Sequence, residues 1–294
     1  MKDLHYQPAN AHQVSVEGRE VLFHVPTTSI FEMDTADRDI LDYAAQAQAF
    51  TMDEFETRFA AADAADRLDG LVRLDIVNDG RPLQPERPPI EIENFPLTTI
   101  VLNVNTGCNL ACSYCYKEDL AVPSKGQKMA FDTARKSVEM LMAENPDRDS
   151  YNVVFFGGEP LSNQPLIRQV VDWAEPHFAA LGKAVNFSLT TNATLLTEPL
   201  IDWLDQHKFG LTVSIDGPKA QHDLNRKTVG GKGTYDAVAA KARLLLSRYT
   251  SKPVGARVTL TAGVTNIHEI GDHLINDIGF AEVGFSPVTS GDMD

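Results

Sequence analysis

Cysteine is scarce in this chain of 294 residues. The three that occur, Cys108, Cys112 and Cys115, fall within one short segment. An odd number of cysteines so close together is a poor disulfide framework. Residues 1–10 are polar and lack the apolar stretch of a signal peptide, so we expect a cytoplasmic protein in a reducing compartment. In that setting the cysteines are free thiols or metal ligands.

Long apolar runs and an excess of basic charge are absent as well. No hydrophobic stretch approaches the roughly 20 residues of a membrane span, so we expect no membrane partner. The 26 basic residues are outnumbered by 41 acidic ones, which gives a net charge of −15. Such a surface repels phosphate backbones, so no nucleic-acid partner is expected. Hydrophobic residues make up 43% of the chain, which excludes a disordered protein.

The first 78 residues are predicted to form a small α+β domain like a winged helix. Short strands are predicted at 14–17, 21–25 and 30–33. Helices are predicted to begin after the caps Thr35 and Thr51, and residues 68–77 close the domain. Residues 79–96 contain five prolines, which stop helices and central strands, so this segment is predicted to be a linker.

From residue 97 to residue 294, segments typical of strands and helices alternate, which favours a parallel α/β fold. This length is too short for the roughly 250 residues of an eight-stranded barrel, so we predict a partial (β/α)6 barrel. Predicted strands lie at 99–104, 152–156, 185–190, 211–215, 254–261 and 281–285. Predicted helices lie at 131–141, 166–178 and 267–278, with two more capped by Thr197 and Thr234.

The three cysteines directly follow the first predicted barrel strand, at the strand end that carries the chemistry in parallel α/β folds. A structural zinc needs a fourth ligand, which only a distant histidine could supply here. Three thiolates suit a [4Fe–4S] cluster better, because they leave one iron open to a substrate or cofactor. A buried trio on one helix face remains a third interpretation.

The spacing Cys-x-x-x-Cys-x-aromatic-Cys, with Tyr114 as the aromatic residue, resembles the signature of radical S-adenosyl-L-methionine (SAM) enzymes. Further motifs end the next predicted strands, and they carry the same resemblance. It implies that the cysteines hold a [4Fe–4S] cluster and that motif residues bind SAM. The SAM-binding candidates are Tyr114, Gly157, Gly158, Glu159, Asn192, Ser214, Asp216 and Arg226.

Two of these candidates have an ordinary structural interpretation as well. Arg226 could clamp a carboxylate with two parallel hydrogen bonds, or it could form a surface salt bridge. Asp216 could belong to the site, or it could cap a loop. For Glu159 the chemistry agrees with the resemblance, because a carboxylate suits the ammonium group of SAM, and the neighbouring glycines allow close approach of the backbone.

The residues of these motifs are most similar to those of the peptide-modifying branch of this family, in particular the maturation proteins of quinohemoprotein amine dehydrogenase. This resemblance implies Cys-to-Asp/Glu thioether cross-links in a small subunit, a reductant such as flavodoxin or ferredoxin, and peptide docking by residues 1–78. No cysteine follows Cys115, so auxiliary clusters are not bound here. We therefore expect the N-terminal portion of a longer enzyme, with its catalytic base elsewhere.

Two other functions stay open at this stage. The first is another peptide modification by the same machinery, such as formylglycine formation in sulfatases. The second is an electron-transfer protein with an iron–sulfur centre and no turnover. Gly158, Glu159, Asn192 and Ser214 favour an enzyme, because a bare electron carrier would not need them.

Overall fold

The computed structural model describes residues 3–16, 18–79, 97–115 and 126–288. The chain divides into two compact units, Met1–Glu93 and Asn94–Asp294. Apart from its first residue, the linker predicted at 79–96 lies outside the described residues. No helix in the described ranges is long and apolar enough to cross a membrane.

The first unit contains two antiparallel sheets of three strands each. One sheet is formed by β2 (Ala11–Val16), β3 (Arg19–His24) and β4 (Ser29–Met33), in that order. The other has β1 (Leu4–Tyr6) between β5 (Ala49–Phe50) and β6 (Val77–Asn78). Among the described residues, the α-helices of this unit are α1 (Thr35–Ala47), α2 (Met52–Arg58) and α3 (Ala64–Arg73). Each predicted strand of the 14–33 region therefore has a counterpart in the first sheet.

Helix starts in the first unit follow capping chemistry. Thr51 caps α2 as predicted: its side chain accepts from the Glu54 backbone N–H, and the Glu54 carboxylate accepts from the Thr51 N–H. The predicted Thr35 cap is wrong by one residue. Asp34 caps α1 instead, because its carboxylate accepts from the Asp37 N–H at 2.9 Å. Thr35 is then the first residue within the helix.

The second unit is built around a six-stranded parallel sheet in the order β12-β11-β10-β9-β8-β7, so each strand lies beside the next in sequence. This arrangement confirms the predicted α/β fold class. The strands are β7 (Thr99–Asn105), β8 (Ser150–Gly157), β9 (Ala184–Thr191), β10 (Gly210–Ser214), β11 (Val254–Leu260) and β12 (Glu282–Pro287). The helices are α4 (Phe131–Glu144), α5 (Gln164–Ala180), α6 (Glu198–Gln206), α7 (Lys219–Asn225), α8 (Tyr235–Arg248) and α9 (Ile267–Asp272), which continues as a π-helix over His273–Ile278.

Along each strand, successive side chains point alternately to the apolar core and to the inner face of the sheet. On β8, Tyr151, Val153 and Phe155 are fully buried. On β10, Leu211 and Val213 are buried in the same way, while Thr212 and Ser214 line a cavity on the other face. The apolar core of this unit therefore lies between the sheet and its helices, and the small polar residues are left for the site.

Two predicted helix caps of this unit are wrong, and α7 forms where no helix was predicted. Thr197 and Thr234 precede α6 and α8, but neither side chain makes a capping hydrogen bond. The Thr234 hydroxyl donates instead to the Arg226 carbonyl at 2.8 Å, since that buried acceptor lies within its reach.

Candidate functional site

A cavity of about 520 Å³ opens at the carboxyl ends of the parallel strands. Ten of the eleven residues predicted for the site line it. They are Cys108, Cys112, Tyr114, Cys115, Gly157, Gly158, Glu159, Asn192, Ser214 and Arg226. Asp216, the eleventh, is 2% exposed and does not line the cavity, but it contacts two residues that do.

The cysteine loop, residues 106–115, and Asn105 just before it are held by backbone hydrogen bonds on two sides. On one side, Gly158 N donates to Asn105 O at 2.7 Å and Glu159 N donates to Gly107 O at 3.1 Å. On the other side lies the segment 225–228, whose carbonyls accept from two amides of the loop. Those bonds are Ala111 N to Lys227 O at 2.8 Å and Ser113 N to Asn225 O at 3.0 Å.

Glycine is required at the end of β8 because the cysteine loop approaches so closely. Gly157 has φ +150°, and a Cβ at this position would lie 2.3 Å from Asn105 O. A Cβ on Gly158 would lie 2.1 Å from Gly107 O. Real Cβ contacts essentially never reach such distances, so any larger residue must displace the cysteine loop.

The three cysteines are free, half-buried thiols that face the same cavity. The Leu110 N–H donates to Cys108 Sγ at 3.4 Å, and Asn192 Nδ2 lies 3.8 Å from the same sulfur. Burial raises the pKa of Cys108, and it raises the pKa of Cys112 to about 11 although the Arg226 charge opposes the shift. Any metal bound here must therefore displace thiol protons.

The donor set fits a cluster better than a single ion. Among the described residues, no three His, Cys, Asp or Glu side chains come together closely enough to hold one metal ion. An iron–sulfur cube instead takes one thiolate per iron and keeps those thiolates apart with its own sulfides. Three thiols that surround one cavity, with an amide hydrogen bond to one sulfur, suit such a group.

Glu159 holds its carboxylate almost fully buried, at 1% exposure. Oε1 accepts from Leu161 N at 3.0 Å and from the Thr191 hydroxyl at 2.8 Å, while Oε2 accepts from Asn192 N at 2.8 Å. Burial raises the pKa of this carboxyl, although the three hydrogen bonds oppose the rise. The side chain therefore ties the end of β8 to the end of β9, in addition to lining the cavity.

Arg226 and Asp216 form a buried ion pair instead of a surface salt bridge. Arg226 Nε lies 2.9 Å from Asp216 Oδ2, without the alignment of a hydrogen bond. Tyr114 donates its hydroxyl to the same Oδ2 at 2.6 Å, and its ring lies 5.4 Å from the guanidinium carbon. Asp216 Oδ1 accepts from Thr259 N at 3.0 Å. No residue in the described ranges accepts from the terminal nitrogens of Arg226, so they remain available to a ligand in the cavity.

His222 is a buried residue that no sequence motif indicated as part of the site. It is fully buried, and its Nδ1 accepts from the Asp216 N–H at 3.3 Å. The proton of the neutral ring is therefore on Nε2, which donates to Thr234 Oγ1 at 3.0 Å. Burial lowers the pKa of His222 to about 4, and the Arg226 charge adds to the effect. Through Thr234, this histidine links the backbones of Asp216 and Arg226.

Further polar residues of the cavity wall were also missed. They occupy alternate positions on the last four strands: Thr190, Thr212, Arg257, Thr259 and Ser286. The sequence could have indicated them, because a polar residue at every second position of an otherwise apolar strand predicts a hydrated inner face.

Comparison with known proteins identifies the family. The model of the radical SAM superfamily matches residues 102–274, which is more than half of the chain. The chain belongs to the radical SAM superfamily. The resemblance stated from the cysteine motif is thereby confirmed at the level of the family.

The chain is also similar to individual proteins of known sequence and structure. The cysteine-type anaerobic sulfatase-maturating enzyme of Clostridium perfringens (strain 13 / Type A) is 33% identical over 154 residues, which cover 51% of this chain and 40% of that enzyme. The structure of native anSMEcpe with bound AdoMet has a TM-score of 0.58 at 26% identity, covering 66% of this chain and 52% of that one. This radical SAM chain therefore spans about half or less of the length of these relatives.

A third likeness extends over almost the whole chain. The structure of Streptococcus suis SuiB bound to precursor peptide SuiA has a TM-score of 0.51 and covers 97% of this chain and 63% of that one. The sequence identity is 15%, so this likeness concerns the fold alone.

Proposed function

We propose that this protein is a radical SAM enzyme that modifies a peptide or protein, with a [4Fe–4S] cluster on its three cysteines and SAM in the adjoining cavity. The observation that carries the proposal is that Cys108, Cys112 and Cys115 face the same cavity as Gly158, Asn192, Ser214 and Arg226. When bound, the cluster and SAM would supply reductive cleavage of the sulfonium and abstraction of a hydrogen atom from the substrate.

The chain's own residues would bind and orient these groups. The terminal nitrogens of Arg226 suit the carboxylate of SAM, because a guanidinium fork binds carboxylates in a bidentate manner. Asp216 and Tyr114 fix the other end of that side chain, which keeps its direction constant. Ser214 offers a hydroxyl from the end of β10, and the glycines of β8 let the ligand approach the backbone.

For the reaction, we propose Cys-to-Asp/Glu thioether cross-linking in a protein such as the small subunit of quinohemoprotein amine dehydrogenase. The support for this reaction is the wording of the sequence motifs. Sulfatase maturation, as formylglycine formation, is the second candidate, and the 33% identity to a sulfatase-maturating enzyme favours it. Both reactions need an external electron donor, for which a flavodoxin or ferredoxin is proposed.

The first unit is proposed to dock the substrate peptide. Strand β4 pairs only with β3 among the described strands, so its other edge can accept an added strand. Beside it lies a groove of about 450 Å³ whose apolar wall includes Phe31 and Met33 of β4 and Leu71 of α3. An added strand would gain main-chain hydrogen bonds from the edge and side-chain pockets from the groove.

The decisive experiment is anaerobic incubation of the reconstituted protein with SAM, dithionite and each candidate peptide, followed by tandem mass spectrometry. A thioether removes two hydrogen atoms from the peptide and joins two residues, whereas formylglycine leaves an aldehyde that a hydrazide probe labels. SAM cleavage with neither product would contradict both reactions. No SAM cleavage from a protein that holds its cluster would favour an electron carrier.

The ligand assignment has its own test. Reconstitution should load about four irons per chain, the content of one cube. The triple variant Cys108→Ala, Cys112→Ala, Cys115→Ala should lose that iron and its visible absorbance. Retention of both by the variant would overturn the assignment of the cluster to these cysteines.

A further inference from the structure

Two arginines line the cavity, although the protein as a whole is strongly acidic. They are Arg226 and Arg257. The single carboxylate among the lining residues of the described chain is Glu159, and its oxygens already accept from three protein donors. The charge of Arg226 is already paired with Asp216 behind the wall, which leaves Arg257 as a second cation that faces the cavity. A guanidinium in this position favours an anionic group of a ligand.

Arg257 has space to reach a ligand, and in the described part of the chain no ion pair fixes its guanidinium. It is exposed on β11, and its side chain lies across Gly284 of β12, whose missing Cβ would come within 3.8 Å of one guanidinium nitrogen. Glu282 of β12 lies over Gly255, which precedes Arg257 by two residues on the same face of β11. Among the described residues, no carboxylate oxygen lies within 4.0 Å of an Arg257 side-chain nitrogen, so Arg257 forms no ion pair there.

The two arginines belong to different parts of the cavity wall. Arg226 is tied to the cysteine loop through Asp216 and Tyr114. Arg257 extends towards β12, which stands at the opposite end of the sheet order from β7, the strand that leads into that loop. Because its contacts at the cysteine loop orient Arg226, we expect it to hold an anionic group there and Arg257 to hold a second one.

We propose that Arg257 binds a carboxylate of the peptide substrate, either an acidic side chain or the C-terminal carboxylate. Thr259 and Ser286 line the same wall and supply hydroxyl donors beside the guanidinium. This inference rests on the proposed peptide-modifying function and adds a substrate determinant to it. It makes an acidic group near the reacting residue a requirement for productive binding.

The experiment uses the cluster-loaded protein with SAM and three synthetic peptides without arginine. The first contains one Cys and one Glu and ends in an amide. The second has Gln for Glu, and the third is the Gln peptide with a free C-terminal carboxylate. Phenylglyoxal modification of Arg257 is followed by mass spectrometry, with the exposed Arg243 of α8 as the internal reference. Fluorescence anisotropy gives the Kd of each peptide.

The acidic peptide should protect Arg257 from phenylglyoxal and should bind about tenfold to a hundredfold more tightly than the Gln peptide, as expected for a charged hydrogen bond. Recovery of protection with the third peptide would identify the C-terminus as an equivalent source of the carboxylate. Arg257→Gln should abolish the preference, whereas the control Arg243→Gln should retain it.

Two results would overturn the inference while leaving the proposed function intact. In one, the acidic and Gln peptides protect Arg257 equally. In the other, SAM alone protects Arg257, which would assign this arginine to the cofactor. If no peptide binds the wild-type protein and none is modified, the proposed function fails together with the inference.

Discussion

Glu159 shows how one residue can serve the fold and the site together. Its carboxylate accepts three hydrogen bonds in a place that water hardly reaches. In Glu159→Gln, one side-chain oxygen becomes an NH2 group that faces donors. We expect a loss of about 1–3 kcal/mol in the unfolding free energy of the second unit, the cost of unsatisfied buried polar groups.

Urea unfolding followed by tryptophan fluorescence measures this loss, since both tryptophans, Trp173 and Trp203, lie in the second unit. Glu139→Gln on α4 is the matched control, because Glu139 is partly exposed and pairs with Arg135 at the surface. Equal stability of Glu159→Gln and the wild type would mean that the three hydrogen bonds contribute nothing net.

His222 predicts a pH dependence of stability. Its pKa is about 4 in the folded protein and 6.5 in its ordinary state. Above pH 6.5 both states are neutral, and between pH 6.5 and pH 4 only the unfolded state binds the proton. The second unit should therefore lose up to about 3 kcal/mol as the pH falls through this window.

Other charged groups face this ring: Arg226 adds to the lowering of its pKa, while Asp216 and Asp223 oppose it. The test is urea unfolding at pH 7 and at pH 5, read by tryptophan fluorescence. His222→Gln should show a smaller difference between the two pH values than the wild type. His268→Gln, at an exposed position in the same unit, is the control. An unchanged pH difference in His222→Gln would contradict the assignment.

At the level of single residues, the sequence could predict those that chemistry alone selects. The cysteines, Gly157 and Gly158 at the end of β8, and Glu159 belong to short motifs, and all of them line the cavity. The contact of Tyr114 with Asp216 could not be predicted, because the two residues lie 102 positions apart. Their meeting depends on how β7 and β10 are placed in the sheet.

At the level of elements, the approach of β8 to the cysteine loop gives the strongest prediction. In Gly158→Ala the added Cβ would lie 2.1 Å from Gly107 O, so the loop must move away from β8. We expect iron loading to fall to a small fraction of the wild-type value in an otherwise folded chain. Iron analysis together with the circular dichroism spectrum measures the two properties separately.

Gly271→Ala is the matched control for that substitution. Gly271 lies in α9, where a Cβ would meet only the Phe285 ring at an ordinary 3.9 Å. This variant should load iron like the wild type. If Gly158→Ala also loaded iron fully, the loop would have to tolerate the displacement without loss of its ligand geometry.

Elements with a clear apolar period were predictable, and elements without one were not. Helix α4 buries Ala134, Val138 and Leu141 at helical spacing, and the prediction for this helix is confirmed. Helix α7 buries only His222 among its seven residues, so no apolar stripe marked it. The change to a π-helix after α9 leaves the same residues helical, which explains why their spacing did not reveal it.

On the scale of the whole molecule, composition and the order of elements were sufficient for the fold class. The alternation of strands and helices implied the parallel sheet, but the polar inner wall with Arg257 became visible only once the strands were side by side. The separate aromatic core of the first unit, with Tyr43, Phe50, Phe55 and Phe59 in mutual contact, depends on tertiary packing in the same way.

The proposed division of labour between the units can be tested by deletion. Removal of residues 1–78 should leave iron loading and SAM cleavage without peptide, while modification of the peptide falls at least tenfold because the docking edge is lost. Phe31→Ala tests the same groove without a deletion and should weaken peptide binding, since Phe31 lines it. A truncated protein that bound and modified its peptide normally would exclude docking by the first unit.

The backbone contacts of the cysteine loop also define the smallest piece that could be grafted into another barrel. Transplanting residues 106–115 alone would leave the amides of Ala111 and Ser113 without their acceptors in 225–228. A recipient with any side chain at the position of Gly158 would collide with the carbonyl of Gly107. A designer would therefore have to move three separate stretches, 105–115, 157–159 and 225–228, as one cassette.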